Sequence, residues 1–206
     1  MVDLNKAIVN YIENFSRGYK NKKILDIGCG RGDYTFFFGK ENKTIGIDLQ
    51  DVVKKRYFNF DFQVADAIDL PFGENVFDLV ISFDVIEHIK NGEKILSEAH
   101  RVLKRNGQIF FSTPNKNRLS HFLLEVIGKP VKYPLDLGVN QDLGPITHVK
   151  EYTAKELSKL MRKAGFREIK IIPFWFGLTY LHCGFRNVPI FLQKYCQYLF
   201  VEATSL

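Results

Sequence analysis

The sequence predicts an α/β fold, a doubly wound and mostly parallel sheet with helices on both faces. Short apolar runs that end at turn residues alternate with segments whose apolar residues recur every three or four positions. The first run, Lys22–Ile27, also leads through three alternating glycines into a helix. Such alternation joins parallel strands by right-handed crossovers, and these sheets bind ligands at the carboxyl ends of their strands. We therefore expect the functional site at that edge.

A capped helix and a glycine turn are predicted at the start of the chain. Asp3 is placed to cap a first helix, which Gly18 ends. After the first strand a tight turn is expected, because side chains there would block a ligand lying against the backbone. The glycines of this turn are Gly28, Gly30 and Gly32. Asp33 follows as the expected cap of a helix over Tyr34–Lys40.

The second strand is expected over Lys43–Ile47 and ends in an acid. Asp48 lies 20 residues beyond Gly28, where a second strand presents a carboxylate to the hydroxyls of a ribose. A dinucleotide fingerprint would also need Gly or Ala at the position of Asp33. The turn therefore lacks a dedicated cradle for a pyrophosphate. The pattern favours a nucleoside ligand that carries no phosphates.

The alternation continues through the rest of the core. Asn91 is expected to cap the next helix, and Asn106-Gly107 to turn the chain into strand five. Thr153 and Glu156 form a capping box for a later helix. The other expected strands are strand three near Phe62–Ala65, strand four over Phe77–Ser82 and strand six over Phe166–Ile172.

Residues 115–147 interrupt this rhythm as an insertion. A short amphipathic helix is expected over Leu119–Ile127. Prolines and glycines predict that the rest is irregular, namely Pro130, Pro134, Gly138, Gly144 and Pro145. A long irregular insertion after a strand's carboxyl end is often a lid, and the alternative is a passive surface excursion.

The tail is unusually apolar. Ile171–Phe185 contains no Asp, Glu, Lys or Arg, and includes Tyr180 and Leu181. It is too short, and too broken by prolines and glycines, to span a membrane. Asn187-Val188-Pro189 is then expected to open a helix whose apolar face runs to Leu199. This surface must be buried or must bind something.

The amino-acid composition indicates a globular protein. Of the 206 residues 46% are hydrophobic and 14% aromatic, which suits one domain with a sizeable core. Three scattered cysteines, Cys29, Cys183 and Cys196, give neither a disulfide framework nor a metal-ligand spacing. We expect no secretory signal and no run of the roughly 18 to 20 apolar residues that span a bilayer. A single cytoplasmic domain over residues 1–206, without a bound metal, is therefore predicted.

Four segments share their order and spacing with a known family. Ile24–Asp33 resembles motif I of the class I S-adenosylmethionine-dependent methyltransferases, and Phe62–Phe72 resembles their adenine-binding segment. Phe77–His88 is similar to the fourth strand and following loop of that family, and Leu103–Phe111 to the turn into its fifth strand. The likeness covers residues 20–114 or so. It is greatest to the small-molecule branch typified by ubiquinone-biosynthesis methyltransferases, within the methyltransferase type 11 family.

The resemblance implies a Rossmann-like domain that binds S-adenosyl-L-methionine. We expect an amino-terminal helix at 1–18, a cofactor-binding core at 19–114, an insertion or lid at 115–147 and carboxyl-terminal elements at 148–206. The residues that the resemblance assigns to the methionine moiety are Asp26, Gly28, Gly30, Gly32, Ser82 and Phe83. Those that it assigns to the nucleoside are Asp48 on the ribose, Leu49 against the adenine, and Asp66 and Ala67 at the adenine edge.

Two histidines are the candidates for catalysis. Methyl transfer from a sulfonium depends mainly on positioning, which can contribute about 7 to 11 kcal/mol. For a hydroxyl acceptor, a general base adds roughly 10²- to 10⁴-fold. His148 and His88 both lie near the predicted crevice, and the pKa of imidazole suits proton removal near neutral pH. The alternative is that each satisfies a loop carbonyl.

Other function classes are a nucleic-acid methyltransferase and a non-catalytic S-adenosylmethionine-binding protein. A net charge of +6 suits nucleic acid, but the basic residues are spread along the chain. Ser82-Phe83-Asp84-Val85 also stands where amino-methylating nucleic-acid enzymes have an Asn/Asp-Pro-Pro-aromatic motif. Nucleic acid is therefore not the expected partner. A non-catalytic role stays open, because the cofactor half is better specified than the acceptor half.

The expected acceptor is a small or lipid-like molecule that is methylated at oxygen. The tail and the apolar face of Leu119–Ile127 either cover the sheet or form a greasy acceptor pocket, a peripheral membrane contact or a homodimer face. Basic residues nearby are then available to anionic groups, namely Lys116, Arg118, Lys129 and Lys132.

Overall fold

Strands and helices alternate through most of the chain in a computed structural model that describes residues 3–53, 60–141, 144–178 and 183–206. The strands are β1 Lys23–Ile27, β2 Lys43–Asp48, β3 Phe60–Val64, β4 Phe77–Phe83, β5 Leu103–Pro114, β6 Leu135–Asn140, β7 Gly144–His148, β8 Phe166–Phe174, β9 Phe176–Leu178, β10 Cys183–Phe185 and β11 Tyr198–Ser205. The helices are α1 Leu4–Ser16, α2 Thr35–Gly39, α3 Gly92–Val102, α4 Leu119–Val126 and α5 Ala154–Lys163, and the short 3₁₀ helices are Ile86–His88 and Ile190–Tyr195.

One seven-stranded sheet has the order β3-β2-β1-β4-β5-β11-β8. The first five of these strands pair in parallel, and β11 pairs antiparallel with both of its neighbours. Ile27 at the end of β1 is opposite Ile47 of β2, and Asp26 is opposite Ile81 of β4. The carboxyl ends of these three strands therefore meet at one edge. The predicted doubly wound, mostly parallel α/β sheet is confirmed.

Helices cover both faces of this sheet. On one face α1 and α2 bury an aromatic-rich cluster, and on the other α3 and α5 bury an aliphatic one. Successive residues of β5 alternate between them, since Phe110 belongs to the first cluster and Ile109 and Phe111 to the second. The sheet is thus buried on both sides, as is usual for parallel strands.

Most of the predicted caps are present, but one is wrong. Asp3 accepts a hydrogen bond from the Lys6 N–H at 3.0 Å, and Asn91 and the Thr153 capping box act as predicted. Asp33 is not the cap of α2, which begins at Thr35 after an N-cap residue that makes no side-chain capping bond. The backbone N–H of Phe36 donates instead to the Gly32 carbonyl at 3.2 Å, so the glycine turn itself satisfies this donor.

The insertion contains more regular structure than its prolines and glycines suggest. The helix expected over Leu119–Ile127 is present as α4, and no residue of α4 is buried. The rest was expected to be irregular, which is wrong, because β6 and β7 pair as an antiparallel ribbon. His148 is the last residue of β7, so its position is set by the end of this ribbon.

The helix predicted from Asn187 towards Leu199 is also wrong. Within this segment only Ile190–Tyr195 is helical, as a 3₁₀ turn. Tyr198–Ser205 is β11, which pairs between β5 and β8 in the sheet. Leu199 faces the aliphatic cluster and Phe200 the aromatic one. A strand that is apolar on both faces shows no alternation, and therefore resembles a helix in sequence.

Two further details refine the sequence prediction. The turn expected at Asn106-Gly107 lies inside β5, where Asn106 has a φ of 61° and the register with β4 shifts. Tyr180 and Leu181 of the apolar tail lie outside the described residues. Among the described helices, none combines the length and the apolar character that crossing a bilayer requires.

We predict that Phe200→Ala destabilises the protein far more than Phe191→Ala. Phe200 is fully buried, with the rings of Tyr11 and Phe174 at 4.8 and 5.0 Å, so its removal leaves a cavity that costs about 3 to 5 kcal/mol. Phe191 is 74% exposed and its removal should cost less than about 0.5 kcal/mol. Urea unfolding measures both, and equal losses would contradict the placement of β11.

Candidate active site at the carboxyl edge of the sheet

The glycine turn after β1 has a left-handed backbone. The φ angles of Gly28, Gly30 and Gly32 are 71°, 50° and 83°, a region that side chains disfavour. A Cβ on Gly28 would lie 2.4 Å from a methyl carbon of Val85, so this glycine is needed for packing. A Cβ on Gly30 would have no described atom within 4 Å and would project into open space at the strand ends. The two glycines thus differ in their surroundings, since Gly28 is packed against Val85 and Gly30 borders open space.

Asp26 is a buried carboxyl at the end of β1. The Thr35 hydroxyl donates to its Oδ2 atom at 2.5 Å. Burial raises the pKa of Asp26 to about 7, against the effect of the Thr35 bond, and the charge of Asp48 adds to the rise. Asp26 therefore changes charge near neutral pH, and a cationic ligand beside it would favour the ionised form.

Asp48 and Leu49 form the end of β2 at the same edge. The Oδ2 atom of Asp48 accepts a hydrogen bond from the Gly30 N–H at 2.9 Å, which ties this carboxylate to the glycine turn. Leu49 is 68% exposed, so an apolar side chain stands open beside the carboxylate. The structure thus brings Asp48 to the turn, as predicted from its spacing to Gly28.

Asp66 and Ala67 lie in a tight turn that follows β3. The Asp66 carboxylate accepts from the Ile68 N–H at 3.1 Å, and the Asp66 carbonyl accepts from the Asp69 N–H at 3.1 Å. The preceding Ala65 N–H donates to the Asp48 carbonyl at 3.0 Å. This turn is therefore held next to the end of β2.

Ser82 and Phe83 end β4 beneath the turn. The Ser82 hydroxyl donates to the Ile27 carbonyl at 2.9 Å and so joins the ends of β4 and β1. Phe83 is buried, and its ring lies 5.1 Å from Tyr34 and 5.5 Å from Phe110 in edge-to-face contacts. Its ring therefore belongs to the aromatic core, where it supports Tyr34 at the start of α2.

His88 and His148 meet beyond the end of β4. Their rings are 4.9 Å apart and nearly perpendicular. The Nδ1 atom of His88 donates to the Thr147 carbonyl at 2.8 Å, and the Nδ1 atom of His148 donates to Glu151 at 2.7 Å. The Nε2 atom of each ring has no hydrogen-bond partner among the described residues. Burial lowers the pKa of His88, so its neutral form has a free lone pair on Nε2.

Glu151 and Arg118 support His148 and were not predicted as site residues. Glu151 is buried, and both of its oxygens pair with the Arg118 guanidinium, whose Nη2 lies 2.9 Å from Oε1. Burial raises the pKa of Glu151, but the bonds to His148 and Arg118 outweigh it and bring that pKa to about 2. The expectation that Arg118 is available to anionic groups is wrong, since its side chain is committed here. The three-residue spacing from His148 to Glu151 was the available signal.

Glu87 and Asp84 place further carboxyls beside the histidines. Glu87 is fully buried, the Thr113 hydroxyl donates to its Oε2 at 2.8 Å, and Oε1 has no partner among the described residues. Asp84 has a φ of 56° and accepts from the Ser112 hydroxyl at 3.1 Å. Burial raises the pKa of both carboxyls, that of Asp84 to about 6. Their adjacency to His88 in sequence was visible, but not that they turn towards it.

Comparison with known proteins places the chain among methyltransferases. A family model described as a methyltransferase domain matches residues 4–171. A ubiquinone biosynthesis O-methyltransferase of Pseudomonas aeruginosa is 31% identical over 188 residues, which cover 86% of this chain and 76% of that protein.

Two solved structures share the fold. A SAM-dependent methyltransferase from Thermotoga maritima has a TM-score of 0.68 at 19% identity, with 98% of this chain and 91% of that chain covered. A Haemonchus contortus phosphoethanolamine N-methyltransferase, solved with S-adenosyl-L-methionine, has a TM-score of 0.66 at 18% identity and covers 98% of this chain and 52% of its own.

Asp26→Asn should stabilise the ligand-free protein more at pH 8 than at pH 5. The folded-state pKa of about 7 lies above the ordinary 3.8, so the folded protein holds this proton more tightly and the stability from Asp26 falls as the pH rises from about 4 to above 7. Asparagine has no such proton. The variant's unfolding free energy relative to the parent should rise by about 2 kcal/mol between these pH values.

Chemical denaturation at the two pH values measures this difference. Asp78→Asn is the control, because bonds from the Lys23 N–H and from Lys104 outweigh burial and lower the pKa of Asp78. Its contribution is lost only as the pH falls below about 4. The difference between this variant and the parent should therefore stay constant from pH 5 to pH 8. A constant difference for Asp26→Asn as well would refute the raised pKa.

Proposed function

This chain belongs to the class I S-adenosylmethionine-dependent methyltransferases, and on that premise we propose that it methylates the hydroxyl oxygen of a small or lipid-like molecule. The observation that carries the proposal is the pair of imidazole rings beyond the end of β4, each fixed through Nδ1 and with its Nε2 atom unpaired among the described residues. The name of the Pseudomonas aeruginosa relative, an O-methyltransferase of ubiquinone biosynthesis, favours oxygen as the acceptor atom.

We place the cofactor, S-adenosyl-L-methionine, along the carboxyl edge of β1, β2 and β4. Its methionine part would lie over the open space at Gly30, with its ammonium and sulfonium charges towards Asp26. The ribose would contact the free oxygen of Asp48, and the adenine would pack on exposed Leu49 near the turn of Asp66 and Ala67. Gly28, Gly32, Ser82 and Phe83 would shape the pocket through backbone and packing.

The chemistry is an in-line displacement at the methyl carbon. The acceptor oxygen forms a bond to the methyl group, the carbon–sulfur bond breaks, and its electron pair returns to sulfur. The acceptor's O–H proton must also leave. A neutral imidazole promotes that loss by accepting the proton itself or by holding a cation that acidifies the hydroxyl. The Nε2 atoms of His148 and His88 are the candidates for this role, and Glu151 and Thr147 hold their rings in place.

A lipid-like acceptor is favoured by an apolar surface next to the site. Val126 and Ile127 at the end of α4 are about two-thirds exposed, and Ile190 and Phe191 of the 3₁₀ turn are more so. The two segments are adjacent, since the Phe122 ring of α4 lies 4.6 Å from that of Tyr195. Other parts of the tail are core, namely Phe174 and Trp175, so only part of the aromatic tail is free to bind.

In this proposal the insertion at 115–147 is a lid that touches a membrane surface in the cytoplasm. α4 presents its exposed apolar side chains, and Lys129 and Lys132 follow it as partners for anionic head groups. A homodimer through the same surface is the second candidate. Nucleic acid is not proposed as a partner.

Gly30→Ala should weaken cofactor binding while the protein still folds. Its Cβ would enter the space that the proposal assigns to the methionine part, and the affinity for S-adenosylhomocysteine in calorimetry should fall at least about tenfold. Gly128→Ala is matched, because its φ is 75° and its Cβ also meets no described atom within 4 Å. Both should lose about 1 kcal/mol of stability. Unchanged affinity in both variants would contradict this cofactor placement.

His148→Ala should lower kcat by roughly 10²- to 10⁴-fold and leave cofactor affinity nearly unchanged, because proton loss belongs to the transition state. Glu151 keeps its Arg118 pair in this variant, so the fold should persist. The assay follows labelled methyl groups into phenolic acceptors. His100→Ala is the control, since His100 packs against Phe166 away from the strand ends. Full activity of His148→Ala would remove His148 from catalysis.

The parent protein should sediment with vesicles of phosphatidylglycerol at low salt. Ile127→Asp should weaken this binding, because a charge replaces an exposed apolar side chain next to the lysines. Leu206→Asp makes the same change at an equally exposed position of the carboxyl terminus and should bind as the parent does. Absence of sedimentation, together with a preference for polar acceptors, would overturn the membrane contact.

A further inference from the structure

A buried carboxylate oxygen in the site lacks a partner. Glu87 is fully buried, and the Thr113 hydroxyl satisfies only its Oε2 atom. Oε1 has no hydrogen bond within the described part of the chain. Burying a carboxylate oxygen without compensation is costly, so native structures pair such atoms with a donor, an ordered water or a cation. This oxygen is the first sign of a ligand site.

Two imidazole nitrogens converge on the same place. One ligand atom from each of Glu87, His88 and His148 lies within 4.8 Å of the other two. Each imidazole has its Nδ1 fixed, one by the Thr147 carbonyl and the other by the Glu151 carboxylate. A histidine that binds a metal usually donates its other ring N–H in this way, which fixes its tautomer and raises its basicity.

The three groups are held together by the backbone. The N–H groups of Val149 and Lys150 donate to the Glu87 carbonyl at 2.8 and 3.1 Å. These bonds join the residues directly after His148 to the short 3₁₀ helix that contains Glu87 and His88. The cluster is therefore assembled without any ligand.

The charges of the cluster also match a divalent cation. Glu151 is neutralised by Arg118, with which it forms two hydrogen bonds. Asp84 and Glu87 instead accept from the Ser112 and Thr113 hydroxyls, and neither pairs with a Lys or Arg among the described residues. Two buried or half-buried carboxylates close together repel each other, and a charge of +2 between them would compensate both.

We propose that Glu87, His88 and His148 bind a divalent metal ion that holds the acceptor oxygen. Two neutral imidazoles and one carboxylate are a ligand set for ions such as Zn²⁺, Fe²⁺ or Mn²⁺, and three protein ligands leave a position open for substrate. Ligand bonds of about 2.1 Å require the three atoms to approach one another by about 1 Å, within the range of side-chain rotation. This inference rests on the proposed O-methylation, whose hydroxyl it would activate.

The ion would act as a Lewis acid. A hydroxyl on the open position loses its proton to water more readily, because bound divalent ions lower the pKa of an oxygen ligand by several units. The resulting oxyanion then attacks the methyl carbon, and the electron pair of the carbon–sulfur bond goes to sulfur. His88 and His148 are ligands in this scheme, and neither accepts the proton.

Cobalt titration tests the site without any methyl acceptor. Full-length protein stripped with a chelator is titrated with Co²⁺, and one equivalent should produce visible absorption and raise the melting temperature. Glu87→Gln, His88→Ala and His148→Ala should each weaken Co²⁺ binding at least tenfold, whereas His100→Ala should bind as the parent does. Glu87→Gln keeps the shape of the side chain, and its affinity for S-adenosylhomocysteine checks that the variant is folded.

The outcomes separate this inference from the proposed function. If the parent binds no Co²⁺, Mn²⁺ or Zn²⁺ and methylates a hydroxyl at full rate in chelator, the metal site is wrong and O-methylation stands. If Co²⁺ binds through these three residues but no hydroxyl compound is methylated, the metal site stands and the acceptor assignment fails. Loss of methylation in chelator, restored by a divalent ion in the parent but not in Glu87→Gln, supports both.

Discussion

In-register parallel pairing of β1 with both β2 and β4 is the constraint on which the site depends. It brings the ends of three strands to one edge, where Asp26, Asp48 and Ser82 are the last or next-to-last residues of β1, β2 and β4. Two hydrogen bonds then join these ends, one from the Ser82 hydroxyl to the Ile27 carbonyl of β1 and one from the Gly30 N–H to Asp48. The strand ends are thus tied to one another, and a Cβ at Gly30 of the glycine turn would meet open space.

The Glu151 carboxylate ties together the two ends of the insertion at residues 115–147. It holds Arg118 at the start of α4 and His148 at the end of β7, so both ends of the insertion meet at one buried group. The intervening ribbon is thereby anchored at its base while α4 stays uncovered. An insertion held at its base, with an apolar outer face, is compatible with the lid and the lipid-like acceptor of the proposed function.

The two halves of the site differ in electrostatics. On the side proposed for the cofactor, the buried carboxyl of Asp26 has a pKa of about 7 and accepts a hydrogen bond from the Thr35 hydroxyl. On the acceptor side Asp84 and Glu87 are close together with raised pKa values. A cationic cofactor would compensate the first, and the proposed divalent ion would compensate the second. That difference is the physical ground for assigning separate ligands to the two sides.

The sequence by itself determined the local features, because these depend on nearest neighbours: the glycine turn, the caps at Asp3 and Asn91, and an acid spaced for β2. Tertiary structure alone decided that Tyr198–Ser205 is a strand, since a strand buried on both faces has no alternation to read. It also decided that Glu87 and His148 meet, because contacts between residues about 60 positions apart depend on how the whole insertion folds back, which no local pattern encodes.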